Sequence, residues 1–307
     1  MGHVYTYMKK LTVTIGIPAY NEAKSISKLL DSIRAQKLAT AEIKEILVRS
    51  DGSTDDTAAI VKQYKKILPP LQLWDAKERI GMSAGLTNIA LMSTGDLFIG
   101  LDADSTLADS SVLENICREF ANPRVGLVSP NVLPHPGRTF IEKLAVTWIT
   151  FWINTREDYL NGDNVNNHFG CATAMRSEIA HQLTIPDDII GPHDFIYFFA
   201  KKLGYEYRYL SHTRVYYHVA SSLPDYLKQT ARHHTAKNGI IEHFGPETLI
   251  SYQVDKTHKF RALVKTFLSE PILFPIACML QLYLRITQHT YTSESNHGLW
   301  AMAASTK

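Results

Sequence analysis

Apolar and polar positions in the first half of the chain alternate between two rhythms. Residues 13–18 (VTIGIP) form a short β-rich run ending at Pro18, and residues 43–50 (IKEILVRS) form a second. Between them, residues 23–36 place Ile26, Leu29, Leu30 and Ile33 at the spacing of one helix face. Thr54 or Asp55 can cap a helix running to about Tyr64. A third strand is predicted at 71–74 (LQLW), a helix at 83–92, and a fourth strand at 96–101 (DLFIGL). Ser110 or Ser111 caps a helix to Phe120, and VGLVSP at 125–130 is another strand. Strands and helices linked this closely argue for parallel βαβ units in an open sheet. Right-handed crossovers then bring the strand C-termini to one edge, where ligands bind.

The second half is less regular. A long apolar and aromatic helix is predicted at 139–153, followed by a polar loop at 161–168 and a small-residue strand at 169–176. Asp194 opens a helix to Leu203, strands follow at 205–210 and 214–219, and Pro224 starts a helix towards Gly239. From Lys256 a basic, part-amphipathic stretch leads into the apolar run 271–280 (PILFPIACML). Ten apolar residues are about half of what a bilayer span needs. Two readings suit this tail: a helix lying in the membrane interface, or a cover for an apolar patch on the same chain or a second copy.

Composition narrows the function classes. The 307 residues are 45% hydrophobic and 20% charged, which suits a globular core. Lys and Arg number 32 against 30 Asp and Glu, a net charge of +2, so no concentrated basic face points to a nucleic-acid partner. Three cysteines, Cys117, Cys171 and Cys278, lie far apart, without metal-ligand spacing or a disulfide framework. A reducing, cytoplasmic compartment fits, with peripheral attachment to the cytoplasmic membrane face as an extension. No charged segment followed by an apolar stretch opens the chain, so no secretory signal is expected. MGHVYT matches the loose myristoylation pattern, as short chance sequences do.

The predicted strand ends read PAYNE, RSDGSTDD and LDADS, so polar and acidic side chains collect on the edge where the architecture places a site. Asp102 and Asp104, just after a buried strand, can hold a hard divalent cation, Mg2+ or Mn2+, on a diphosphate. Asp is also common in turns after strands. Asp51, before Gly52, can accept a hydrogen bond from a nucleobase or ribose, and Glu22 can contact either or favour a helix N-terminus.

In order, IPAYNE, SDGSTDDT, ERIGMSAGLTNIAL and GDLFIGLDADS resemble the nucleotide-sugar half of family 2 glycosyltransferases, over about residues 11–130. The resemblance implies the GT-A fold: an α/β, Rossmann-like open mixed sheet flanked by helices. The glycosyltransferase domain would span 9–245, with an acceptor half at 131–245 and a helical tail at 246–307. It implicates Pro18, Tyr20, Glu22, Asp51, Arg79, Gly81, Asn88 and Asp102 in holding a nucleotide-diphosphate sugar, UDP-linked for preference, and Asp102 and Asp104 in holding the metal. One departure is Ser50, where members often carry an acid.

FGCATAMRSEIA resembles the acceptor-side strand, bringing in Gly170 and Cys171, and GPHDFIYFFAKKLGYEYRYL resembles the stretch whose Asp is the catalytic base, here Asp194. His193 replaces the acid that usually precedes it. LKQTARHHTAKNG resembles the Gln-x-x-Arg-Trp element of membrane-associated members; Gln229, Arg232 and His233 share a helix face, with His233 in place of Trp. Arg232 would bind phosphate. His218, after a predicted strand, is a candidate third metal ligand, with sheet-edge capping as the plainer reading; His168 is a weaker one. The implied activity is metal-dependent, inverting sugar transfer to a hydroxyl of a glycan or lipid-linked acceptor. The rivals are a nucleotidyltransferase, which usually carries a basic Gly-rich loop where this chain has PAYNE, and a degenerate nucleotide-sugar-binding subunit of a membrane assembly.

Overall fold

The computed structural model describes residues 10–186, 189, 191–235 and 237–287, apart from the side chains of 228, 231–235, 237–238 and 287. The elements are β1 (Leu11–Ala19), α1 (Ile26–Arg34), β2 (Ala41–Asp51), α2 (Thr57–Tyr64), β3 (Leu71–Ala76), α3 (Met82–Met92), β4 (Leu97–Leu101), β5 (Thr106–Leu107), α4 (Val112–Glu119), β6 (Val125–Pro134), α5 (Phe140–Arg156), β7 (Ala172–Arg176), α6 (Ser177–Ala180), α7 (Pro192–Lys202), β8 (Glu206–Tyr217), α8 (Leu223–Thr235), α9 (Lys237–Phe244), α10 (Thr248–Ser251), α11 (Lys256–Ser269) and α12 (Leu273–Thr287).

The strands form one eight-stranded sheet in the order β3-β2-β1-β4-β7-β6-β8-β5. β1, β2, β3 and β4 run parallel; β7 enters antiparallel between β4 and β6, making the sheet mixed. Val13, Ile15 and Ile17 of β1 and Leu97 and Ile99 of β4 are fully buried. Central parallel strands covered on both faces carry such runs, and each large side chain contributes about 1.5–3 kcal/mol on burial. Helix α1 turns Ile26, Leu29, Leu30 and Ile33 onto the sheet, at the expected periodicity.

The structure differs from the sequence reading in several places. The two strands expected at 205–210 and 214–219 are one long strand, β8, paired in parallel with β6 across an irregularity between Pro130 and Asn131. The polar Ser211–His212–Thr213 stretch bulges out of the pairing, which passes from Leu210 directly to Arg214, and the Asn131 side chain donates to the Ser211 carbonyl at 3.0 Å. The strand expected at 125–130 continues to Pro134. The helix from Pro224 is followed by a separate one, α9. The apolar run enters the fifteen-residue α12 at Leu273, and the helix tolerates Pro275 near its start. Helices α11 and α12 pack along α5. The myristoylation-like segment lies outside the described residues.

Candidate functional site

Because β1, β2 and β4 are parallel, their C-terminal ends meet at one rim. Asp51 ends β2 and is buried. Its carboxylate accepts from the backbone N–H of Ile80 (3.0 Å) and Gly81 (2.8 Å) and pairs with Arg49 (3.3 Å). Asp51 therefore ties the sheet edge to the loop that starts α3. Gly52 makes the turn at φ +71°, and a Cβ there would lie 3.2 Å from the Arg79 nitrogen. Arg79 in turn lays its guanidinium 4.0 Å over the Tyr20 ring, forming a flat cationic surface at the rim. Arg49 does the same over Trp74 at 4.2 Å; nothing in the sequence pattern singled out this pair.

The loops after β1 and β2 are stitched together. The Asn21 side chain accepts from Thr54 N (2.7 Å), and Glu22 N donates to Thr57 Oγ1 (2.7 Å). The N-cap of α2 is Asp56, not Thr54 or Asp55, and its side chain makes no cap bond; Asp55, one residue earlier, accepts from Thr57 N (3.0 Å) and from Ala23 N (3.1 Å). Glu22 is buried and accepts from Ser25 Oγ at 2.6 Å. Pro18 is paired with Arg49 across the two strands, and Asn88 is half-buried on α3.

Asp102 and Asp104 follow β4. The Asp102 amide donates to the Cys171 carbonyl (3.0 Å), where β7 begins beside it. Burial, the charge of Asp104 and that of Glu22 push the Asp102 carboxyl well above the usual range, against a hydrogen bond from the Cys171 thiol. Burial and the same aspartates raise the thiol, keeping it protonated as a donor. Cys171, read from the sequence as acceptor-side, thus also touches the donor-side acid.

The acceptor side adjoins this cluster through close contacts. A Cβ on Gly170 would lie 2.7 Å from His193 Nε2, so the bare glycine lets that ring approach the strand. The buried His168 bridges the same elements: Nδ1 meets the His193 carbonyl (2.8 Å) and Nε2 meets Thr173 Oγ1 (2.7 Å). Asp194 stands in the first turn of α7, behind Pro192. Its Oδ2 accepts from the Tyr252 hydroxyl at 2.7 Å. Gln229 is half-buried on α8; the side chains of Arg232 and His233 lie outside the described residues. His218 follows β8 and stacks on His135, with ring centroids 4.5 Å apart. Burial and the nearby Lys28 and Arg138 charges lower its pKa.

The profile described as Glycosyl transferase family 2 matches residues 14–184. The chain belongs to this family. Among similar proteins, the O-antigen chain rhamnosyltransferase RfbN of Salmonella typhimurium is 28% identical over 127 residues, 41% of this chain and 38% of that one. The dolichyl-phosphate beta-glucosyltransferase ALG5C of Trichomonas vaginalis is 36% identical over 96 residues, covering 30% and 28%. The chain therefore spans well under half the length of these curated relatives. In three dimensions it is similar to the mannosyltransferase PcManGT from Pyrobaculum calidifontis in complex with GDP-Man and Mn2+, with a TM-score of 0.58 at 19% identity over 93% of this chain and 84% of that one. The fold is thus GT-A, as the sequence resemblance implied.

Within this family 2 chain, the donor set suits a hard divalent cation. Asp102 is half-buried, its ionised form is disfavoured by desolvation and by like charges, and a cation would remove that penalty. Among the described residues no group of three or more His, Cys, Asp or Glu could hold a metal.

Two contacts escaped the sequence reading. Tyr252 lies beyond the segments that carry family motifs, and its approach to Asp194 depends on how the chain returns after α9. Arg49 reads locally as one polar residue in a strand. Its ion pair with Asp51 and its stacking on Trp74, across β2 and β3, together show why a charge is tolerated there.

Proposed function

We propose that this chain transfers a sugar from a nucleotide-diphosphate sugar to a hydroxyl of a glycan or lipid-linked acceptor, with inversion at the anomeric carbon. One observation carries the reading. Asp51, the Asp102–Asp104 pair and Asp194 belong to adjoining segments of one rim, linked through the Asp102–Cys171 and Gly170–His193 contacts. The names of the relatives point to glycan and lipid-linked acceptors for those proteins.

Tyr20 and Arg79 offer the nucleotide a stacked, cationic surface beside Pro18, and Asp51 fixes the loop that carries Arg79. Glu22, in the same loop as Tyr20, would contact the ribose or base. A Mg2+ or Mn2+ ion held by Asp102 and Asp104 would neutralise charge on the departing diphosphate. Asp194 accepts the proton of the acceptor hydroxyl while that oxygen bonds to the anomeric carbon from the face opposite the diphosphate. The bond from that carbon to the diphosphate oxygen breaks, and the nucleotide diphosphate takes the electron pair. His193 and Gln229 would line the acceptor side, and Arg232 would bind phosphate. A third metal contact from His218 would require its ring to turn from His135.

The test is a panel of UDP-, GDP- and dTDP-sugars with Mn2+, the UDP-linked sugars first, scored by thermal shift and nucleotide release. Asp104→Ala and Asp194→Asn should each lower transfer at least a hundredfold, with Asp194→Asn still binding donor. Turnover retained in Asp194→Asn would remove the base assignment; pyrophosphate release would favour nucleotidyl transfer instead.

The reading extends to an anionic membrane surface as the partner of the tail. Among the described residues no helix is long and apolar enough to cross a membrane. Helix α11 instead buries only small residues, Ala262 and Thr266, and leaves Phe260, Leu263, Val264 and Phe267 exposed beside Lys259, Arg261 and Lys265.

A further inference from the structure

The candidate base is held from outside its own helix. Tyr252 follows α10, 58 residues beyond Asp194, and donates its hydroxyl to Asp194 Oδ2 at 2.7 Å. The tyrosine is itself anchored. Its ring packs near Phe198 of α7 with centroids 6.0 Å apart, and its carbonyl accepts from the Asn166 side chain at 3.5 Å. Burial and the neighbouring Asp194 charge push the phenol up, so it remains a protonated donor.

We infer that Tyr252 is a positioning residue for sugar transfer, resting on the proposed reading of Asp194 as the base. A carboxylate in the first turn of a helix has nearby backbone N–H groups to fold back upon. The Tyr252 hydroxyl competes with them for Oδ2 and so fixes the orientation in which the carboxylate meets the acceptor hydroxyl. A hydrogen bond to an ionised oxygen is among the stronger polar contacts, and an error of about 1 Å in the placement of a reacting group can cost on the order of a hundredfold in rate. The same contact makes the segment after α9 part of the acceptor side. Packing of the C-terminal helices and orientation of the base become one structural problem.

Tyr252→Phe keeps the ring and removes only the donor, and it is measured beside Asp194→Asn. The probes are UDP-glucose, UDP-N-acetylglucosamine, GDP-mannose and dTDP-rhamnose with Mn2+, and nucleotide release to water or acceptor is followed. The expected result is a kcat about tenfold lower in Tyr252→Phe, with donor KM within about twofold and the melting temperature little changed. A purely structural tyrosine would move the melting temperature and leave kcat alone. Wild-type kcat in Tyr252→Phe, with Asp194→Asn inactive, overturns the positioning role and leaves the base reading standing. Turnover in Asp194→Asn overturns both. Independently of turnover, the Asp194 carboxyl carbon resonance, assigned by its loss in Asp194→Asn, should move in Tyr252→Phe; an unmoved resonance also overturns the proposal.

Discussion

His168 shows what a single buried ring contributes beside the site. The His193 carbonyl can only accept, so Nδ1 carries the proton and Nε2 accepts from the Thr173 hydroxyl. Burial drives its pKa down to about 4, against the opposing hydrogen bond to His193. The unfolded chain takes up that proton near the ordinary value of about 6.5, so it binds more protons than the folded state between the two values. Stability linked to His168 is therefore present above pH 6.5 and falls progressively as the pH drops towards 4. The loss amounts to about 3 kcal/mol over that window. Chemical denaturation of wild type and His168→Gln from pH 7.5 to 4 should show the gap between them closing towards acid. A gap independent of pH would mean that the ring is hydrated and titrates normally.

At the scale of elements, α5 is the piece on which the tail is built, and its start is fixed by a reciprocal cap. Thr139 Oγ1 accepts from Glu142 N (3.2 Å), and Glu142 accepts from Thr139 N and Arg138 N, each at 2.7 Å. Thr139→Ala should cost about 1 kcal/mol in urea unfolding, and an unchanged midpoint would show that packing alone holds the helix end. The helix was legible in the sequence, because a long apolar and aromatic run is a local signal, although its cap was not singled out. So were β1 to β4, where buried runs such as Leu97–Leu101 end in polar turns and short links leave one topology. The continuity of β8 was not, because Ser211 to Thr213 bulge between two stretches whose common partner, β6, lies far away in sequence. The same distinction runs through the candidate site. Asp51, Asp102 and Asp104 announce themselves at strand ends, while the loop clamp that Asp51 forms with Ile80 and Gly81, and the reach of Tyr252 to Asp194, exist only after long-range folding.

On the whole molecule, the C-terminal helices present an inverted face. An ordinary surface helix buries its large apolar side chains, whereas α11 turns Ala262 and Thr266 inward and leaves Phe260 67% and Leu268 74% exposed. Ile272, Met279, Leu282 and Ile286 continue the exposed apolar surface onto α12. Phe260, Leu263, Val264 and Phe267 follow the spacing of one helix stripe, flanked by Lys256, Lys259, Arg261 and Lys265. Such a stripe suits the headgroup boundary: inserted Phe or Leu side chains gain about 1.5–3 kcal/mol each, and each basic residue near an anionic surface adds about 1 kcal/mol. The protein should therefore co-sediment with phosphatidylglycerol-containing vesicles and much less with pure phosphatidylcholine. Binding should weaken in high salt and fall at least tenfold in the Phe260→Ser, Leu263→Ser, Phe267→Ser triple variant, with the core, which these exposed residues do not enter, still folded. If the protein instead forms a dimer in solution that the same variant dissolves, and ignores vesicles, the face belongs to a second copy. If it does neither, the lipid reading fails.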